Sequence, residues 1–134
     1  MSTLFDIEVA LQTQLDNIVG HPDIAWENDE TYNPILGQRY WRPTLIPARG
    51  SLASFQGLQQ YQGLLQVDVF VPLNTGKKQL IEDLDLISQQ FLAGSSIYSG
   101  DIRLDILDRQ PGQAMREQSW YRGYIEIYYM CYAH

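Results

Sequence analysis

Residues 61–78, "YQGLLQVDVFVPLNTGKK", constrain the fold more than any other stretch. Leu65, Val67, Val69 and Val71 alternate with Leu64, Gln66, Asp68 and Phe70. Side chains of a strand point to opposite faces in turn, so this pattern predicts one long strand with an apolar face and a mixed face. Pro72 stops the strand, "NTG" makes a turn, and Lys77 opens an amphipathic segment. A strand of that length has to sit inside a sheet, and each of its faces needs a cover. The covalent pattern accounts for the first face. It leaves open what lies against the second, which carries an acid.

The helices that could cover the first face are legible. Leu4, Ile7, Leu11, Leu15 and Ile18 recur at helical spacing and predict a helix over 3–18, capped by Ser2 or Thr3 and ended by Gly20 and Pro22. Leu80, Leu84, Ile87 and Phe91 predict a second over 77–92, closed by Gly94, with Glu82, Asp83 and Asp85 on a solvated face. "DIAWEN", 23–28, reads as a short strand, and "DETYNPILGQ" as turn-rich. "RYWRPTLIPA", 39–48, is extended, and Pro43 places it at a sheet edge or a bulge. Residues 49–60 read as a long hairpin loop with apolar Leu52 and Phe55. "IRLDIL", 102–107, alternates with Ile102, Leu104 and Ile106 inward, and a Pro-Gly turn signal follows. In the last strand Tyr121, Ile125, Ile127, Tyr129 and Cys131 share one face. Trp120, Arg122, Tyr124, Glu126, Tyr128, Met130 and Tyr132 share the other. The element order predicts a single α+β domain over 1–134: an antiparallel or mixed sheet packed against two main helices.

Motifs for chemistry are sparse. "NTGKK" lacks the upstream glycine and the hydroxyl residue of a phosphate loop, and reads as a strand-to-helix turn. His21 lies in a turn and His134 is the last residue, with no second ligand or nucleophile beside either. Cys131 is a lone thiol on an inward face and reads as buried and inert, so no disulfide or metal site is expected. Asp68 and Glu126 are two strand acids, but a chain of 134 residues leaves little to build a deep cleft around them. No catalytic residue, cofactor or metal is expected. The N-terminus lacks the pattern of a signal peptide and no run is long enough to span a membrane, so a soluble protein kept inside the cell is expected. A net charge of −7 argues against generic binding to nucleic acid.

The mixed face remains. Leu64, Phe70, Trp120, Tyr124, Tyr128, Met130 and Tyr132 interleave there with Gln66, Asp68, Arg122 and Glu126. Aromatics, methionine and arginine mixed with acids are what protein interfaces carry, and an oligomer is expected on that ground.

The order "IAWEN", "YNP", "RYWRPTLIPA", a small-residue loop, then Tyr61, Gly63, Gln66, Val67, Asp68, Val69, Phe70 and Pro72 before an amphipathic helix resembles the tail terminator (tail completion) proteins of long-tailed bacteriophages. The last forty residues resemble that family in general shape only. The resemblance implies a structural virion protein and no enzyme. It implies a ring, hexameric in most of that family, that caps the tail tube, stops its polymerisation and offers the head-completion or connector proteins a joining surface. DNA would pass through the hole without specific binding, and assembly would take place in the bacterial host cytoplasm, on a tail or a prophage-derived machine. The ring could form only on the tube. Arg49, Leu52 and Phe55 would then form an arm towards a neighbour or the tube. Asp68, Trp120, Arg122, Tyr124, Glu126 and Tyr128 would face a neighbouring subunit or the channel. Asp68 has a second reading, as a bond within one chain to Arg42 or a nearby turn that sets strand register. The alternatives to the terminator are another neck ring or head–tail connector and, further off, a small enzyme or ligand-binding domain with a pocket of convergent polar groups.

Overall fold

A computed structural model describes residues 3–27, 33–47, 59–100 and 102–133. The elements run α1 (Thr3–Asp16), β1 (Asp23–Ile24), β2 (Tyr40–Pro47), β3 (Gln59–Pro72), α2 (Lys78–Gln90), β4 (Ser96–Ser99), β5 (Ile102–Pro111), β6 (Met115–Glu117) and β7 (Trp120–Ala133). Seven strands form one sheet in the order β1-β2-β3-β7-β5-β4, with β6 paired to β7 beside β5. β1 and β2 run parallel and every other pair is antiparallel, so the sheet is mixed. It curls into a half-barrel accompanied by the two helices, an α+β architecture.

The spine of the sheet is β3 against β7, paired from Gln59↔Ala133 to Pro72↔Trp120. Leu65, Val67, Val69 and Val71 of β3 and Ile125, Ile127, Tyr129 and Cys131 of β7 are buried in the main core. Ile7, Ala10, Leu11 and Leu15 of α1 and Leu80, Ile87 and Phe91 around α2 join the same cluster. Alternation on the strands and helical spacing on the helices therefore converge on one apolar layer. Tyr129 requires Gly63 opposite it: a Cβ there would lie 2.6 Å from both the Tyr129 hydroxyl and the Ile46 carbonyl oxygen. No side chain fits without moving the ring or the neighbouring strand.

Several local expectations shift. Leu4 is 39% exposed and leaves the buried stripe, while Ile18 is buried just beyond the end of α1. Thr3 is already helical, and Ser2 lies outside the described residues. The strand expected over 23–28 is two residues long. β5 runs on past 107 to Pro111, so the Pro-Gly signal marks its end, where the Gly112 N–H donates to the Tyr124 carbonyl at 2.8 Å. β3 begins at Gln59, and residues 49–58 of the expected loop, with 48 before them, lie outside the described residues.

Pro43 does sit on an outer strand. β2 has β3 along its whole length on one side and β1 beside Tyr40 and Trp41 only on the other. The Trp41 carbonyl accepts from the Ala25 N–H at 2.8 Å, and the Leu45 N–H donates to Glu27 Oε1 at 2.8 Å. The backbone groups of 41 and 45 thus point away from β3. Pro43, between them, lacks a donor on the side where β3 does not need one.

The largest departure is Asp83. The acids of α2 were expected on a solvated face, yet Asp83 is fully buried. It lies one turn from Leu80 and Ile87 on the stripe that packs on the sheet. Its carboxylate accepts from Trp41 Nε1 at 3.0 Å, Gln79 Nε2 at 2.8 Å and Arg39 Nε at 3.1 Å. Arg39 also donates to the Gly20 carbonyl at 2.9 Å. Three donors on β2, α2 and the β2 approach satisfy a charge that burial would otherwise penalise.

Candidate functional site

The second face of the sheet is organised by cross-strand rows. Tyr40, Phe70 and Arg122 share one row, Arg42, Asp68 and Tyr124 the next, and Thr44, Gln66, Glu126 and Gln110 the one after. Neighbouring positions on one face of a sheet are close enough for side chains to interact along and across rows.

Asp68 is the hub, 2% exposed. Arg122 reaches its Oδ1 with Nε at 3.0 Å and Nη2 at 2.9 Å. Arg42 Nη2 reaches Oδ2 at 3.3 Å and Gln66 Nε2 reaches Oδ1 at 3.1 Å. Among the described residues its partners are Arg122, Arg42 and Gln66. The bond to Arg42, one of the two readings of Asp68, is present, and Arg122 adds a cation from the strand on the other side. One acid thus ties β2, β3 and β7 together across the face.

Both arginines also lie against rings. The Arg42 guanidinium carbon is 4.9 Å from the Phe70 ring centre and that of Arg122 is 5.5 Å from the Tyr124 ring centre. Tyr40 stacks on Phe70 at 4.5 Å, and Trp120 meets Tyr40 edge-on at 5.2 Å. Tyr40, Phe70 and Trp120 form a small buried cluster of their own, separate from the main core. Tyr124 lies flat on Gly112, where an added Cβ would be 1.9 Å from the ring.

Beyond Asp68 the face turns acidic and then apolar. The Tyr128 hydroxyl donates to Glu126 Oε1 at 3.3 Å. Desolvation, then the Glu126 carboxylate, pushes the Tyr128 phenol up from its ordinary range. The β5–β7 register slips between Ile106 and Asp108, and this turns Asp108 and Gln110 onto the same face, opposite Tyr128 and Glu126. A shallow hollow of about 200 Å³ follows, lined by Ile46, Gln62, Gly63, Leu64, Leu107, Tyr128 and Tyr129. Ile46 and Leu107 in its lining are each more than 40% exposed.

Of the residues singled out in the sequence, Asp68 and Arg122 are brought into direct contact. Trp120 joins the aromatic cluster, and Tyr124, Glu126 and Tyr128 continue along β7 on the same face. Arg49, Leu52 and Phe55 lie outside the described residues. Sequence reasoning missed Asp108 and Gln110, because a one-residue slip is invisible to a period of two. It also missed Tyr40, whose partners come from distant strands.

The chemistry on view is that of contact. Cys131 is buried, and burial pushes its thiol up, away from the thiolate that a nucleophile needs. His21 donates from Nδ1 to the Pro22 carbonyl at 2.5 Å and places Nε2 3.3 Å from Asp16, at a turn remote from the face. Among the described residues no three His, Cys, Asp or Glu side chains converge as metal ligands, and no helix is long and apolar enough to cross a membrane.

Comparison with known proteins gives three findings. The sequence model of a family described as phage tail terminator protein matches residues 6–129. A solved structure, 20% identical in sequence, superposes over 100% of this chain and 99% of its own with a TM-score of 0.80; at that identity the likeness speaks to the fold. No curated protein matches.

Proposed function

This chain belongs to the phage tail terminator family, and from that premise we propose that it forms a ring, hexameric in its finished state, on the last ring of the tail tube. A phage tail structural role comes with the family and suggests a protein that is not an enzyme. The ring stops tube polymerisation, presents the surface to which a head-completion or connector protein attaches, and leaves a channel for DNA. Assembly takes place in the host cytoplasm. The observation that carries the reading is the family match over residues 6–129. Two features of the molecule support it. A net charge of −7 suits a wall that DNA slides past without being gripped. The uncovered sheet face, with Tyr124, Glu126, Tyr128 and the rim of the Arg42–Asp68–Arg122 cluster, suits contact with a neighbouring subunit or the channel.

Head-to-tail contacts make a ring only if the rotation between subunits closes. The test is mass by light scattering over a concentration series, negative-stain images of any large species, and addition of the protein to polymerising tail tube protein. Six-fold rings and tubes halted in its presence are expected. Tubes that lengthen unchecked would overturn the capping role. Binding to head connector and not to tube would move the protein to another ring of the neck.

A further inference from the structure

Basic side chains are scarce in this chain, nine against sixteen acids, and nearly all the described ones are engaged. Arg39 is bonded to Asp83, Arg42 and Arg122 to Asp68, Arg103 to Asp105, and Lys78 lies 3.9 Å from Glu82. Arg109 donates to the carbonyls of Ser88 and Phe91. Among the described residues this leaves Lys77 and Arg116 as the basic side chains with no ion pair or hydrogen bond. They lie thirty-nine positions apart in the chain, yet both line one hollow of about 340 Å³, with Leu73, Asn74, Gly76 and Tyr121.

The fold explains the meeting. Pro72 ends β3, and a tight turn, in which the Thr75 hydroxyl donates to the Pro72 carbonyl at 2.7 Å, sets Lys77 at the entry to α2. The β6–β7 hairpin pairs Arg116 with Tyr121, beside that turn. Leu73 and Tyr121 are half-buried and supply an apolar wall next to the two charges. Partial removal of water strengthens an ion pair placed there, and the planar arginine fork suits a carboxylate.

We infer that the Lys77–Arg116 hollow receives carboxylates of a second copy of this chain and forms one half of the subunit contact. The choice of occupant rests on the ring reading and on charge. Copies that each carry a net charge of −7 repel unless their few free cations meet acids across the contact, and every copy brings acids in excess. Asp6, Asp23 and Asp85 are described acids with no hydrogen bond or ion pair of their own, so each copy has carboxylates to give.

The test compares wild type with Lys77→Ala/Arg116→Ala, with Lys77→Glu/Arg116→Glu, and with Lys78→Ala, which removes a neighbouring charge outside the hollow. Self-association is measured by sedimentation over a concentration series, and capping of tail tubes at matched concentrations. Both target side chains are exposed, so melting temperatures should match wild type and confirm folding. The double alanine variant should associate and cap roughly tenfold more weakly, the double glutamate variant more weakly still, and Lys78→Ala like wild type. Salt on the order of 1 M should shrink the gap between wild type and double alanine. Association and capping by the double alanine variant within about twofold of wild type would overturn the assignment and leave the ring reading standing. A wild type that neither associates nor caps would overturn both. A wild type that associates only on tubes is judged by capping alone, with the same criterion.

Discussion

The two faces of this sheet bury charge in different ways. On the helix-covered face Asp83 is wholly buried, and its donors Trp41, Gln79 and Arg39 converge from β2, α2 and the approach to β2. On the open face Asp68 is almost as buried, but among the described residues no helix covers it. It is enclosed by its own neighbours, two arginines and the rings against which they lie. Arg42 keeps 46% of its side chain exposed. One acid joins layers, the other joins strands within a layer. Depth of burial is therefore a poor guide to which face a residue serves.

The contrast is broken most directly at adjacent residues of β7. Ile127→Ala should cost about 3 kcal/mol, since it empties a site in the covered core, whereas Tyr128→Ala on the other face should cost about 1 kcal/mol. Urea denaturation midpoints of the two variants check this, and equal losses would mean that the open face is as much a core as the covered one. Asp83→Ala comes next, at roughly 3 kcal/mol, because it strands the Trp41 indole N–H and the Arg39 guanidinium. Asp68→Ala should cost about 2 kcal/mol, less because Arg42 regains water easily. If Asp68 proves the costlier of the two, the exposure of Arg42 is no guide to how Asp68 is held.

The smallest effect lies near the open edge of the sheet. The Ser96 hydroxyl donates to Asp105 Oδ1 at 2.7 Å, and Arg103 Nε lies 2.9 Å from the same oxygen. The Ser96 bond is the main influence holding the Asp105 carboxyl below its ordinary value; burial opposes it and Arg103 adds to it. A depressed folded value means that Asp105 contributes stability above the unfolded value near 3.8 and loses it as pH falls through the folded one. Ser96→Ala should raise the Asp105 titration midpoint seen by NMR and slightly lower stability at neutral pH, where the contribution of the ionised carboxylate is fully present. An unmoved midpoint would mean that Arg103 alone sets it.

Much of the architecture was legible because it follows from periods of two and 3.6. The alternation in β3 and β7 assigned Val67 and Ile127 to one face and Asp68 and Glu126 to the other, and the structure keeps that division. Pro43 marked an outer strand for the same reason that it removes a donor. What was not legible depended on partners far away in sequence. Asp83 sat on the apolar stripe of α2, but an acid reads as solvated until Trp41, Arg39 and Gln79 are seen to meet it. β4 and β6 are too short for any period to register, and β1 is shorter than the strand read over 23–28. The slip after Ile106 reverses the facing of Asp108 and Gln110, and local sequence holds no sign of it.

The outer margin of β2 bears on crowding. A strand at the rim of a sheet offers a row of amide hydrogens to any extended chain that drifts past, and proteins gathered at high local density aggregate by that route. Here the row has been emptied. Pro43 and Pro47 have no amide hydrogen, and that of Leu45 is held by Glu27. Along the described part of this rim a passing strand finds carbonyl acceptors but no free amide hydrogen, so it can form at most half of a ladder. Backbone adhesion is weakened there, and recognition from this side leans more on side chains.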